Sequence, residues 1–436
     1  MSITMPKEYN SLETVTLNDE VFFKISDVNT LRPFFMSVVS DSNHWMFISS
    51  NGGLSAGRKN AEFAFFPYYT DDKITESADL TGSKTIFQII RSDQKLIWEP
   101  FSERFEGKFN ITRNLYKNEF GNKIIFEEIN NDLNLQFQYE WNSSNEFGFI
   151  KKSTLVNIGS EDLNIVALDG LQNLIPYGVG SELQNRSSNL VDAYKRSELH
   201  EKSGLGIFAL SAIIVDKAEP SEALKANTVF SLGLQNPKHL LSSIQLKDFR
   251  DGSTIHSEKD VKGEKGAYFI AAEFALKPSE QKKWCFVANV NQDHRAIFQL
   301  IHTIETNADL QQTIQKDIDL GTGNLVKLVA SADGLEYTND VMTDARHFAN
   351  SMFNIMRGGI FDDNYTIEKW DFTQYLQKSN QSVAENSKQI IDGLPEKFTL
   401  SELKNSIKNS ENADLIRLFT EYLPLKFSRR HGDPSR

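Results

Sequence analysis

The chain has 436 residues, of which 39% are hydrophobic and 24% charged, and its net charge is -12. This length predicts two structural units, or one large β unit with an appendage. The charge opposes non-specific binding to nucleic acid, no apolar run approaches the roughly 20 residues of a membrane span, and a single cysteine, Cys285, excludes an intramolecular disulfide. Because no secretory signal is recognisable at the N-terminus, we expect a cytoplasmic protein.

Strand patterns dominate the first three hundred residues. The clearest covers residues 133–141, where apolar and polar side chains alternate with the period of two of a half-buried strand. The turn at residues 119–122 separates two strand-like runs and predicts a hairpin. Further strands are predicted at residues 153–158, 164–170, 206–215, 228–234, 267–276 and 283–290. Such a series favours antiparallel sheets packed as a sandwich, with Cys285 as a buried structural thiol.

Helical spacing replaces this alternation further along the chain. The first helical patterns are formed by Ile297, Leu300, Ile301 and Ile304, and then by Val341, Ala345, Phe348, Met352 and Met356. Helices are also predicted around residues 371–378, 387–392, 400–408 and 415–423, where Pro424 ends or kinks the last one. We place the boundary between the β region and the helical region near residue 335.

The pentapeptide at residues 53–57 fits the nucleophile-elbow pattern G-x-S-x-G, with Ser55 in the position of the nucleophile. An elbow needs a strand before the serine and a helix directly after it. Residues 44–50 are a good strand, but Pro67 and neighbouring aromatic residues stand where the helix should be. We therefore interpret the match as accidental and the glycines as positions where the backbone lies close to another surface.

The loop at residues 51–73 carries the side chains that sugars require. Asn51, Arg58, Asn60, Asp71 and Asp72 are candidates for hydrogen bonds to hydroxyl groups. Phe66, Tyr68 and Tyr69 are candidates for contact with the apolar face of a pyranose. The alternative is a structural loop whose aromatic residues complete the sandwich core and whose aspartates form a solvated turn.

Other chemistry has weaker signals. Glycoside hydrolysis uses two carboxylates, but 59 acidic residues allow too many pairs for one to be chosen from sequence. The histidines show no ligand spacing, so we expect His294 and His302 to be surface or packing residues of a helix. The sequence thus predicts no metal, no cofactor and no catalytic residue.

Basic residues gather at the end of the chain, in the segment FSRRHGDPSR. Arg429, Arg430 and Arg436 are suited to bidentate contacts with phosphate, carboxylate or paired hydroxyls, while the alternative is a frayed basic tail. A structured turn is followed at once by the end of the sequence, which suggests a chain that continues in its parent protein.

Four segments resemble the N-terminal part of proteins related to cellobiose and chitobiose phosphorylases, of the glycosyltransferase 36 type. They are GGLSAGRKNAEFAFFPYYTDD, DGLQNLIPYGVG, NIMRGGIF and RRHGDPSR. The resemblance implies a galactose-mutarotase-like β-super-sandwich over residues 1–335 and a helical linker over residues 336–436. In the family, an (α/α)6 barrel that carries the catalytic acid and the phosphate site follows, and here it would lie beyond Arg436.

In these phosphorylases the long sandwich loop reaches into an active site, often that of the partner subunit of a dimer. The matching positions are Gly52, Gly53, Ser55, Asn60, Pro67, Tyr68 and Asp72. The sequence departs from the characterised enzymes, which have an Asn-Ser-Arg run and a tryptophan where this chain has Lys59-Asn60-Ala61 and Tyr68. We expect an interface with the barrel at Arg357, Arg429, Arg430, His431 and Asp433.

Three hypotheses follow from the sequence. The first is a carbohydrate-binding, dimer-forming N-terminal region of a phosphorylase-like glycoside hydrolase acting on β-linked gluco-oligosaccharides or disaccharides, inactive without its barrel. The second is a stand-alone sandwich hydrolase or lyase that uses its own carboxylates. The third is a purely structural assembly module whose loop packs against a neighbour.

Overall fold

The computed structural model describes residues 12–69, 71–91, 94–212, 224–357, 359–361, 366–422 and 425–427. Strands β1 to β8 are Leu12–Leu17, Glu20–Ile25, Phe35–Val38, His44–Ser49, Leu54–Arg58, Ala64–Phe66, Gly82–Arg91 and Gln94–Trp98. Strands β9 to β16 are Ile111–Asn118, Ile124–Asn130, Leu135–Ser144, Gly148–Asn157, Leu163–Leu174, Lys195–His200, Leu205–Leu210 and Lys225–Leu232. Strands β17 to β24 are Lys238–Leu240, Asp260–Lys262, Gly266–Leu276, Gln281–Asp293, Gly359–Phe361, Thr366–Glu368, Lys397–Thr399 and Leu425–Phe427.

Most of the helices follow the strands in the sequence. Helices α1 to α6 are Asp71–Glu76, Ser181–Tyr194, Leu246–Arg250, His294–Thr306, Leu310–Ser331 and Val341–Arg357. Helices α7 to α11 are Lys369–Ser379, Gln381–Asn386, Lys388–Asp392, Leu400–Ser406 and Ala413–Glu421. Among the residues described, no helix has both the length and the apolar character that crossing a bilayer demands.

Three antiparallel sheets build the β region. The largest has the strand order β1-β2-β9-β10-β11-β12-β20-β16-β15-β14-β18, the second has the order β17-β19-β13-β7-β8, and the third has the order β3-β4-β5-β6. Their inner faces share one hydrophobic core, to which Phe137 of the large sheet, Phe87 of the second and Ile48 of the third all belong. The predicted fold class, antiparallel sheets packed as a sandwich and followed by a helical region, is confirmed.

Helices cover part of the outer face of each of the two larger sheets. Residues of α4 and α5, among them Ile314 and Ile318, pack on Ile150, Cys285 and Val287 of the eleven-stranded sheet. Phe249 of α3 packs on the five-stranded sheet. Cys285 is buried, and burial raises the pKa of its thiol to about 11, which confirms the expectation of a structural cysteine.

Several predicted elements are confirmed, whereas α2 and α5 were not predicted, and of the strand predicted at residues 206–215 the structure shows β15 as far as Leu210, with residues 213–215 outside the described part. Alternation over residues 133–141 corresponds to β11, and the turn at residues 119–122 joins β9 to β10 as a hairpin. Helices α4, α6, α7, α9, α10 and α11 lie where helical spacing predicted them. His294 and His302 are exposed on α4, as expected of helix-surface residues.

The chain divides into two compact units, Met1–Thr322 and Gly323–Arg436. This division falls inside α5, whereas the boundary predicted from the sequence lies at residue 335. The second unit has a hydrophobic core of its own, in which Phe372 meets Phe398, Phe419 and Tyr422 edge to face. Leu415, Leu418 and Phe419 of α11 are buried in that core, while Ile416 is exposed.

Candidate functional site

The four-stranded sheet presents aromatic side chains on its outer face. Alternation along β4 places Met46 and Ile48 in the sandwich core, where they are 3% and 0% exposed, so that Trp45 and Phe47 lie on the opposite face. Phe35 of β3 pairs with Ser49, and Tyr68 follows the end of β6. The period of two therefore separates core residues from a second apolar surface on the same strand.

Four aromatic rings form a continuous row on this surface, which we call the aromatic face: Phe35, Phe47, Trp45 and Tyr68. The ring centroids of Phe35 and Phe47 lie 5.5 Å apart and nearly parallel. Trp45 lies 5.9 Å from Phe47 and meets Tyr68 edge to face at 5.6 Å. Phe35 is 44% and Tyr68 41% exposed, so the two ends of the row are open to solvent. A row of this kind offers a pyranose an apolar platform.

Polar groups lie beside the aromatic face where β5 gives way to the short 3-10 helix Ala61–Phe63. Asn60 caps this helix, because its Oδ1 accepts a hydrogen bond of 3.1 Å from the Glu62 amide. The carbonyl of Asn60 also accepts a 3.1 Å hydrogen bond from the indole nitrogen of Trp45. Asn60, Lys59 and Glu62 are exposed, and the Glu62 carboxylate accepts a 2.9 Å hydrogen bond from the Ser181 hydroxyl.

The guanidinium of Arg58, a predicted sugar ligand, donates its hydrogen bonds to acceptors within the protein. Its Nε donates to Asn43 Oδ1 at 2.7 Å, and its two terminal nitrogens donate to the carbonyl and side-chain oxygens of Asn145 at 3.1 and 3.2 Å. A further bond of 3.3 Å reaches Asn289. Burial lowers the pKa of the Arg58 guanidinium, against which the Asp317 carboxylate acts. Arg58 thus ties the four-stranded sheet to β20 and the β11–β12 turn.

The remaining predicted sugar ligands are spread over the same region. Asn51 donates from Nδ2 to the Thr75 carbonyl at 3.0 Å and accepts from the Ser49 hydroxyl. The backbone nitrogen of Tyr69 donates to Ser55 Oγ at 3.4 Å. Asp71 begins α1, and Asp72 is exposed in its first turn. Of the predicted set, Tyr68 and Asn60 lie at the aromatic face, whereas Asn51 and Arg58 brace the sheet.

Phe66 and Ser55, two residues of the segment predicted as a loop, are both buried. Phe66 is fully buried in the sandwich core, so its predicted contact with a sugar is wrong. Ser55 lies within β5, is fully buried, and donates its hydroxyl hydrogen to the Pro67 carbonyl at 2.6 Å. A buried serine inside a strand cannot act as an elbow nucleophile, which confirms that the G-x-S-x-G match is accidental.

The segment predicted as a long loop instead contains strands β5 and β6 and the start of α1, and its glycines allow close approach of the backbone. A Cβ on Gly53 would lie 1.9 Å from the Ile74 carbonyl oxygen, and one on Gly57 would lie 2.5 Å from the Phe63 carbonyl oxygen. Only glycine fits at these two positions. The interpretation of these residues as sites of close backbone contact is confirmed.

Sequence reasoning missed Phe35, Phe47 and Trp45. The signal was present, since His44 to Ser49 alternates between two apolar sets, and a strand with apolar residues on both faces must pack or bind on each of them. Of the predicted barrel contacts, Arg357 ends α6, while Arg429, Arg430, His431 and Asp433 lie outside the described residues. In the described part of the chain, no three His, Cys, Asp or Glu side chains cluster as metal ligands would.

Comparison with known proteins relates one segment of the chain to a glycoside hydrolase family. Residues 361–424 match the model of glycoside hydrolase family 149 insertion domain 1. This segment contains the compact core of the second unit, from Ile367 to Tyr422. No curated protein sequence matches the chain.

Several solved structures are similar at low identity. A bacterial glucoamylase complexed with acarbose is 9% identical with a TM-score of 0.41, over 91% of this chain and 57% of that one. A protein described as a kojibiose phosphorylase from the human microbiome is 11% identical with a TM-score of 0.30, over 89% of this chain and 43% of that one. A galactose mutarotase-like protein from Clostridium acetobutylicum is 9% identical with a TM-score of 0.29, over 66% of this chain and all (100%) of that one. The chain thus spans about half the length of the first two.

Proposed function

We propose that this chain is the carbohydrate-binding, dimer-forming N-terminal region of a phosphorylase-like glycoside hydrolase, acting on β-linked gluco-oligosaccharides or disaccharides and inactive without its catalytic barrel. The observation that carries the sugar-binding part is the aromatic face, whose exposed ring, Tyr68, meets Trp45 edge to face, while the Trp45 indole donates to the carbonyl of Asn60. Aromatic rings contact the apolar faces of sugars while amide and carboxylate groups bind their hydroxyls. The match of residues 361–424 to a glycoside hydrolase insertion domain supports the same substrate class.

Replacing Tyr68 by alanine is expected to weaken binding of gluco- or N-acetylglucosamine-type oligosaccharides at least tenfold, or about 1.4 kcal/mol. The loss follows because Tyr68 is an exposed ring of the aromatic face, and its removal also takes away the edge-to-face partner of Trp45. Calorimetry and ligand-observed NMR with cello- and chito-oligosaccharides would measure the change. Tyr337→Ala is a matched control, since Tyr337 is 87% exposed and lies in the second unit.

The outcome also discriminates the structural alternative. A chain that binds no oligosaccharide, but whose dimer dissociates on Tyr68→Ala, would be an assembly module, because the exposed aromatic row equally suits a protein partner. Release of reducing sugar by the purified chain alone would instead favour a sandwich hydrolase or lyase. Either result would overturn the proposal.

The proposed barrel interface has a test of its own. If Arg357, Arg429 and Arg430 contact the catalytic domain, replacing all three by alanine is expected to weaken association with a separately expressed barrel at least tenfold. The exposed Arg186 and Arg417 supply control substitutions, since each bonds within its own helix. Unchanged association, measured by analytical ultracentrifugation, would contradict the interface.

A further inference from the structure

A groove of about 870 Å³ lies on the outer face of the eleven-stranded sheet. Its floor is formed by β11, β12 and β20, one wall by the start of α5, and one end by the turn between β1 and β2. The volume is within the range of small-molecule and cofactor sites. On the same face the sheet is apolar where α4 and α5 cover it, and it becomes polar in the groove. We call this space the polar groove.

The register of the strands aligns polar residues in a row across the floor of the polar groove. Asn114, Glu127, Gln138, Thr154 and Lys283 stand directly opposite one another on β9, β10, β11, β12 and β20. Neighbouring strands are about 4.8 Å apart, so a polar group recurs at each step across the sheet. Gln138, Thr154 and Lys283 of this row line the groove. A ligand lying across the strands would meet one such group after another.

Buried contacts hold the floor in place. The Glu127 carboxylate, 4% exposed, accepts hydrogen bonds from Asn114 at 2.7 Å, Tyr116 at 2.8 Å and Gln136 at 2.6 Å, and a fourth from the amide nitrogen of Gln138. With that nitrogen engaged, Gln138 retains its carbonyl oxygen as an acceptor for a ligand. Fixed groups lose little conformational entropy when a ligand binds.

A second contact fixes the sheet to the helical wall. Lys152 Nζ on β12 donates to Gln315 Oε1 on α5 at 2.8 Å and lies 3.9 Å from Glu140. Gln315 in turn donates to Asp319 at 2.7 Å. The wall and the floor therefore keep their spacing through side chains that belong to the groove itself.

Other side chains of the polar groove are available for hydrogen bonds to a ligand. Within the part of the chain that the structure describes, the side chains of Thr154, Gln281, Lys283, Gln311 and Gln312 make no hydrogen bond or ion pair with protein. The charges cancel, because Glu140 and Asp309 balance Lys152 and Lys283. Balanced charge disfavours an anion or a cation, whereas amides that both donate and accept suit hydroxyl groups.

We propose that the polar groove binds a neutral, hydroxyl-rich oligosaccharide through hydrogen bonds, as a second site that shares no residue with the aromatic face. The ligand lies across β11, β12 and β20, with Gln138 and Thr154 beneath it and Gln312 beside it. An uncharged chain of several sugar units fits both the volume and the repeated polar row.

The experiment titrates the full chain carrying Tyr68→Ala with cellotetraose and laminaritetraose, using calorimetry and saturation-transfer NMR. In this background, Gln138→Leu is expected to weaken binding at least tenfold. Gln136→Leu is the matched control, because Gln136 shares the strand, the face and the bond to Glu127 but does not line the groove. Lys283→Met, at an exposed position, is expected to weaken binding two- to fivefold.

The outcomes separate the two sites. Equal affinities in the Gln138→Leu and Gln136→Leu chains, or binding abolished by Tyr68→Ala alone, would overturn the groove site and leave the aromatic face standing. Binding that survives Tyr68→Ala and is lost with Gln138→Leu supports the groove. The aromatic face is overturned only if the wild type and Tyr68→Ala bind with the same stoichiometry and affinity. A chain that binds neither oligosaccharide before any substitution overturns both.

Discussion

Replacing Asp169 by alanine is expected to lower the free energy of unfolding by about 3–5 kcal/mol, because it leaves the charge of Lys151 buried without a partner. Both side chains are fully buried between the sheets of the sandwich, and Lys151 Nζ lies 2.5 Å from Asp169 Oδ1. The Lys151 ammonium also lies 5.5 Å from the Tyr139 ring centroid and 5.1 Å from that of Phe286. Aromatic rings compensate only part of a buried charge.

Both oxygens of the Asp169 carboxylate accept hydrogen bonds. Oδ1 accepts from Thr85 at 2.6 Å and from the Gly170 amide at 2.9 Å as well as from Lys151. Oδ2 accepts from Ser153 at 2.8 Å and from the Trp284 indole at 2.7 Å. These donors come from both large sheets, so the alanine variant leaves several buried donors unpaired at once.

Urea unfolding followed by tryptophan fluorescence would measure the loss. The double variant Asp169→Leu with Lys151→Met is the control, since replacing a whole buried pair by apolar side chains is often neutral. It is expected to recover the part of the loss that comes from the unpaired Lys151 charge, whereas the donors of Thr85, Ser153 and Trp284 stay unpaired in both variants. A single Asp169→Ala variant that loses less than about 1 kcal/mol would show that the pair is not held as described.

The stability of the single variant Asp169→Ala is also expected to depend on pH. Burial lowers the pKa of Lys151, and Asp169 counteracts this effect. Without Asp169 the folded chain releases the lysine proton at a lower pH than the unfolded chain does, so the unfolded state binds more protons between the two pKa values. Stability of Asp169→Ala should therefore rise as the pH approaches the ordinary range of lysine.

Acid is expected to destabilise the β region through His44. Burial, with the nearby positive charge of Arg58, lowers the pKa of His44 to about 3 from its usual 6.5. The structure gives the reason: within the described residues Nε2 is buried without a hydrogen-bond partner, and Nδ1 faces Ser42 Oγ at 3.1 Å. His44 also pairs across the strands with Arg58. The neutral imidazole is therefore the form that the fold accepts.

Between pH 6.5 and about 3 the unfolded chain holds a proton on this histidine that the folded chain does not, so stability falls as the pH falls. From pH 7 to pH 4.5 the expected loss from His44 alone is about 2–3 kcal/mol. His44→Gln should remove this part of the slope in urea unfolding, whereas His302→Gln, on the surface of α4, should keep it. Identical slopes in the wild type and His44→Gln would contradict the assignment.

This acid sensitivity bears on the proposed function. His44 and Arg58 lie on β4 and β5, the strands of the sheet whose outer surface carries Trp45 and Phe47. Protonation of His44 places a second positive charge beside Arg58 under that surface. Loosening of the sheet in acid is thus expected to disturb the aromatic face before the rest of the sandwich unfolds.

The candidate site was only partly visible in the sequence. Tyr68 and Asn60 were predicted and lie at the aromatic face, but Arg58 and Asn51 carry the same chemistry and make contacts within the protein instead. The residue type determines which hydrogen bonds a side chain can make. Its neighbours in space determine whether those hydrogen bonds are already made within the protein. Those neighbours, such as Asn145 and Asn289 for Arg58, are far away in the sequence.

By itself the sequence determined the period of each element, the sandwich class, the hairpin at residues 119–122 and the burial of Cys285, because these depend on short-range alternation of apolar side chains. Only the tertiary structure decided which apolar face of β4 is core and which strands lie side by side. The polar row from Asn114 to Lys283 exists because β20 pairs with β12 across more than a hundred residues of chain. Alternation fixes the face of a residue along its own strand, but pairing between distant strands fixes what stands next to it.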